Sequence, residues 1–115
     1  MPKLTKMKCV AYRSDSPKVS EGEITKYREQ VPEWNIVSRD GIDRLERIFA
    51  LSDFVHALAF TNRVGALAER EDHHPAIVTE WGRVTVTWWT HKIRGLHRND
   101  FVAAAKTDKL LEAPD

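Results

Sequence analysis

At 115 residues the chain has room for one domain with a modest core, and 18 basic against 17 acidic side chains leave a formal charge of +1. That near balance argues against a dedicated nucleic-acid binder, which would carry a marked basic excess or stripe. Cys9 is the only cysteine, so an intrachain disulfide and a thiolate metal cluster are both excluded, and with no apolar run near the ~20 residues of a membrane span and no signal-peptide core a soluble cytoplasmic protein is expected.

Residues 1–19 mix Lys, Ser, Asp and Pro without period and read as a flexible or loosely docked tail, so the domain is expected over 20–115. Ser20-Glu21-Gly22-Glu23 has the form of a capping box, and Ile24, Tyr27 and Val31 follow at helical spacing until Pro32 closes a short helix. Trp34 to Arg39 reads as a strand and Asp40-Gly41 as a turn. In the next run Leu45, Arg47, Phe49 and Leu51 share one parity, which predicts a second strand paired back on the first.

Ser52-Asp53 starts a long helix whose apolar face is expected from Phe54, Val55, Leu58, Ala59, Val64, Leu67 and Ala68, running to about Glu69 and ended by His74-Pro75. Ala76–Glu80 and Arg83–His91 then form a hairpin about Trp81-Gly82. Its second strand turns Val84, Val86 and Trp88 to one face and Thr85, Thr87, Trp89 and His91 to the other. A last helix from about Asn99 to Leu111 takes Asn99 or Asp100 as its cap. The order is α-β-β-α-β-β-α, which predicts an α+β domain: a four-stranded antiparallel sheet with helices packed on one face.

Titratable groups gather at the ends of these elements, in Glu69-Arg70-Glu71-Asp72-His73-His74-Pro75, then His91 and Asp100. Imidazoles titrate near neutral pH, so the cluster suits general acid-base work or a metal. Each member also has a plain reading: solvated loop histidines, a strand-end packing partner at His91, a helix cap at Asp100. Three histidines and nearby carboxylates have the atoms for zinc or iron, although adjacent histidines do not readily face one ion and the H-E-x-x-H spacing is absent. No Ser or Cys sits in a recognisable activating setting. Trp34 and Trp81 are amphipathic anchors by default, and either could stack on a flat heterocycle. No chemistry is assigned to His56 or His97.

Glu69-x3-His73-His74-Pro75-x5-Trp81-x9-His91-x8-Asp100 resembles the signature of the pterin-4a-carbinolamine dehydratase family. The likeness extends through Trp34-Asn35, Ser52-Asp53-Phe54 and Thr61-Asn62-Arg63-Val64, and on through Thr90, Gly95-Leu96 and Phe101, covering about residues 20 to 111. The resemblance implies loss of water from 4a-hydroxytetrahydropterin to give quinonoid dihydropterin, in recycling the cofactor of an aromatic amino-acid hydroxylase. It implies His73, His74 and His91 as catalytic residues, with Glu69, Asp100, Trp34, Pro75 and Trp81 binding or orienting, and no cofactor or metal. It also implies a homodimer or homotetramer whose partner is the small pterin rather than a nucleic acid or membrane. Some relatives serve instead as dimerisation cofactors or assembly factors, which is the alternative role. The chain departs from the family pattern at Asn99, where some relatives carry arginine, and at the bulky Trp88-Trp89 pair.

Overall fold

Two short turns fold the strands onto one another. The computed structural model describes residues 3–112, so the outermost residues of the expected tail (1–2) and of the expected domain (113–115) lie outside the described residues. Strands β1 (Asn35–Arg39) and β2 (Ile42–Ala50) are joined by Asp40-Gly41, both at positive φ (54° and 74°). That is the backbone demanded by a two-residue hairpin whose twist matches its strands, and Asp-Gly supplies it with little strain. Strands β3 (Ala76–Glu80) and β4 (Arg83–Trp88) turn at Trp81-Gly82, with Gly82 at φ 72°. The sheet is fully antiparallel in the order β1-β2-β4-β3.

Helices α1 (Glu21–Arg28), α2 (Phe54–Glu71) and α3 (Arg98–Leu110) complete the expected α-β-β-α-β-β-α order. Ser20 accepts from Glu23 N–H while the Glu23 carboxylate takes Ser20 N–H, so the capping box is present. The sheet turns Leu45, Phe49, Val84, Val86 and Trp88 inward beneath α2 and α3. Register explains the layering: Leu45 pairs with Trp88, and Phe49 with Val84. Arg47, on the same parity, lies across the Phe49 ring and forms a 2.7 Å ion pair with Asp108 of α3. An arginine is accommodated at a core-facing position because its stem packs and its head finds a carboxylate.

Three local expectations need correction. The buried stripe of α2 is Ala57, Phe60, Val64, Leu67 and Ala68, whereas Phe54, Val55 and Leu58 are exposed. Apolar residues continue around the first turns of this helix, so periodicity alone does not choose the inward set. The helix stops at Glu71, before His74-Pro75, because Asp72 takes the left-handed conformation (φ 51°). Strand β4 ends at Trp88, and His91 opens a short 3-10 turn, His91–Ile93. Thr90 there bonds Gly95 in both directions, diverting the chain from the sheet.

The segment before α1 lies against α3. Leu4 is fully buried, and its N–H donates to Gln30 Oε1 at 2.7 Å. Cys9 N–H donates to Glu71 Oε1 at 2.9 Å. Asn99 accepts from Val10 N–H at 2.9 Å and donates to Val10 C=O at 2.8 Å, holding both faces of one residue's backbone.

Candidate active site

The left-handed residue at the end of α2 separates the two adjacent histidines. Asp72 N–H and His73 N–H both bond Ala68 C=O, which reverses the chain in a single step. His73 then turns inward and is 2% exposed, while His74 turns out to Glu69, its Nε2 2.6 Å from Oε2. A helix persisting to His73 would have paired Glu69 with His73; ending it at Glu71 transfers that partnership to His74. Both members of the Glu69–His74 pair are mostly solvated, where such contacts contribute little stability.

His73 has the more structured setting. Its Nε2 lies 2.6 Å from Asp100 Oδ1. A carboxylate can only accept, so with Asp100 ionised the ring hydrogen resides on Nε2 and Nδ1 is left as the ring's other nitrogen. Asp100 Oδ2 accepts from Thr90 Oγ1–H and from His97 N–H, each at 2.8 Å. Three donors therefore fix a fully buried carboxylate. The His73 ring stacks on Trp88, with centroids 5.6 Å apart and planes 8° apart, so the bulky residue of β4 sets the imidazole's orientation.

Helix α3 is capped by His97, not by Asn99 or Asp100. Its Nδ1 accepts from Asn99 N–H at 3.0 Å, and Asp100 at the third helical position returns to His97 N–H. Asp100 thus closes a capping box and holds His73 with the same side chain. Burial lowers the pKa of His97 below its usual value, and the charge of Asp100 opposes that shift. A neutral ring is what the cap requires, because Nδ1 can accept only when unprotonated.

His91 lies at the other side of this network, one residue beyond Thr90. Its ring is exposed and stacks on Trp89 at 4.4 Å, with the Arg44 guanidinium 4.1 Å from the Trp89 ring. A cleft of about 300 Å³ opens between the α2 end and this turn, lined by Cys9, Val10, Ala11, Tyr12, Glu71, Asp72 and Lys92. Tyr12 meets the His73 ring edge-on (5.9 Å, 84°) and lies 5.9 Å from His97; the Lys92 ammonium is 5.6 Å from the Tyr12 ring centre. Burial, helped by the charges of Asp100 and Asp72, raises the Tyr12 pKa and keeps it a neutral phenol. Burial and then the charge of Glu71 push the Cys9 thiol up to about 12, which leaves it a poor nucleophile.

The remaining expected site residues lie elsewhere. Trp34 is fully buried in the core, its Nε1–H donating to Asp108 at 2.8 Å and its ring edge-on to Phe49. Trp81 is 73% exposed at the tip of the β3–β4 hairpin, and Pro75 is half-buried at the start of β3. Among the described residues no three His, Cys, Asp or Glu side chains converge as metal ligands. Sequence reasoning missed Tyr12, Thr90 and His97. Thr90 stood within the family likeness and His97 left the capping spacing His97-x-x-Asp100, whereas Tyr12 left no trace.

The family model described as pterin 4 alpha carbinolamine dehydratase matches residues 17–110. A protein of Nitrosococcus oceani, provisionally named a pterin-4-alpha-carbinolamine dehydratase, is 56% identical over 112 residues, covering 97% of this chain and 99% of its own. Among solved structures, a transcriptional coactivator/pterin dehydratase from Brucella melitensis superposes with a TM-score of 0.72 at 29% identity, covering 82% of this chain and 98% of that one. A pterin dehydratase-like protein identified as a RuBisCO assembly factor in the alpha-carboxysome gives 0.59 at 22% identity, covering 71% and 93%, a likeness of fold alone.

Proposed function

This chain belongs to the pterin-4a-carbinolamine dehydratase family, and from that membership we propose that it dehydrates 4a-hydroxytetrahydropterin to quinonoid dihydropterin. The observation that carries the reading is the buried His73–Asp100 pair beside a cleft bordered by the His91 turn. In the reaction the C4a–O bond breaks and the hydroxyl leaves as water after gaining a proton. The N5–H bond gives up its proton, and its electron pair forms the C4a=N5 double bond. One imidazole donates and another accepts, so the step needs two titrating groups and no net redox change. His73, with Nε2–H held by Asp100, presents Nδ1; His74 and His91 are the remaining candidates for the second transfer. Glu69 orients His74, and Pro75 and Trp81 belong to the substrate-binding surroundings. Trp34 acts at a distance, by fixing the sheet against α3.

The product links the protein to an aromatic amino-acid hydroxylase, whose spent cofactor it returns to use. Ultraviolet absorbance of freshly generated 4a-hydroxytetrahydropterin, with and without protein, tests the proposal. Decay no faster than the spontaneous rate sinks it.

Assembly into a dimer or tetramer is part of the same proposal. Phe54, Val55 and Leu58 expose an apolar flank on α2, and Ile48 and Val78 lie exposed on the open sheet face. Apolar surface of this kind is where a second copy of the chain would pack. Light scattering at micromolar concentration should return a multiple of 13.2 kDa, and a monomeric mass would remove the idea.

A further inference from the structure

The residues that wall the cleft beside His73 include Cys9 to Tyr12, which precede the part of the chain that the family model matches. Resting on the dehydratase reading, we propose that Tyr12 is a positioning residue that roofs His73 and forms the wall against which the flat pterin ring is held. Three observations carry this. Tyr12 lies edge-on to the His73 ring, which is all but sealed from solvent. The segment leading to it is tied down at two successive residues, Cys9 by Glu71 and Val10 by both polar atoms of buried Asn99. Glu71 is itself fixed by Lys106 at 2.8 Å. Lys92, from the turn that carries His91, approaches the same ring. Tyr12 is therefore placed between the two histidine-bearing turns by anchors at the two residues just before Ala11.

The cleft's size fits this role. About 300 Å³ is the lower end of the range for small-molecule sites, which suits a bicyclic ring and little more. A neutral phenol ring is an appropriate wall for a flat heterocycle, offering an apolar face and a polar tip.

The test compares wild type, Tyr12→Phe and Tyr12→Ala by two independent readouts. The first is the rate at which diethylpyrocarbonate modifies His73, resolved from His74 by tandem mass spectrometry. The second is fluorescence titration with a 7,8-dihydropterin, a stable analogue lacking the 4a-hydroxyl, with melting temperature as a check on folding. We expect Tyr12→Ala to speed modification of His73 and to weaken analogue binding roughly three- to tenfold, the range for loss of one aromatic contact. Tyr12→Phe should stay close to wild type in both. Unchanged His73 reactivity in Tyr12→Ala overturns the proposal, and so does faster modification with unchanged binding. A wild-type protein that neither binds the analogue nor accelerates dehydration sinks the dehydratase reading itself, a result visible before any variant is made.

Discussion

Asp100 Oδ1 lies 2.6 Å from Nε2 of His73, and the other oxygen of the same carboxylate receives both the Thr90 hydroxyl and the N–H that begins α3. One buried side chain therefore sets the tautomer of an imidazole and the start of a helix. The two tasks should fail together. In Asp100→Asn the amide has a single acceptor oxygen for three donors, so one or more is left unpaired. The expected cost is about 1–3 kcal/mol of stability, with activity lowered by roughly 10² or more. Chemical denaturation and the dehydration assay measure the two effects. An Asn variant with full activity would remove Asp100 from the proposed mechanism.

His73→Ala and His91→Ala should each lower the dehydration rate by roughly 10²–10⁴, the usual worth of a positioned acid or base. His56→Ala should leave it unchanged, since His56 pairs with the N-cap Asp53 in the first turn of α2. If His73 and His91 divide the two proton transfers, the pH–rate profile of each single variant should lose a different limb. Identical profiles would show that the two act as one group.

His97 ties stability to pH. Its folded pKa lies below the ordinary value of 6.5, so the unfolded chain binds the proton more readily than the native state does. The contribution is complete above the unfolded pKa and is lost as pH falls below it, because protonated Nδ1 no longer accepts from Asn99 N–H. The melting temperature of the wild type should drop between about pH 7.5 and about pH 5.5. His97→Asn, whose amide oxygen can also cap, should show a shallower drop. Equal slopes would refute the assignment.

Asn99 carries a stability prediction separate from catalysis. Asn99→Leu fills similar space but leaves the N–H and C=O of Val10 without their partners. A loss of about 1–3 kcal/mol is expected from denaturant titration. Leu4→Ala, at a fully buried site packed near α3, should cost about 2–5 kcal/mol.

Much of the fold was legible because it rests on side-chain period and local capping. The Ser20–Glu23 box, Asp53 at the start of α2, the Asp40-Gly41 hairpin and the inward set Val84, Val86 and Trp88 all follow rules with short reach. The α2 face was misjudged where apolar residues occupy more than one side, so that the sheet and not the pattern selects Ala57 and Phe60. The path of Cys9 to Tyr12 was illegible for another reason. Its contacts are made largely by backbone groups to residues far along the chain, and such bonds leave no spacing to read. His97 escaped notice because histidine is not among the usual N-cap residues. The signature placed His73 and Asp100 in one constellation, yet their direct contact depends on how α2 stops, at Glu71 with Asp72 left-handed, whereas the sequence pointed to an end near Glu69 set by His74-Pro75.

Asp72 has a consequence for how this stretch can change over time. A reversal of one backbone angle sends two identical neighbours in opposite directions, one to a dry carboxylate and one to a wet one. Their difference resides in the count of residues between the helix and β3 rather than in the letters. Adding or removing one residue here would change which residue faces inward, so that His73 loses its place beside Asp100 while both histidines stay in the chain. Insertions and deletions, more than substitutions, are what this turn cannot absorb.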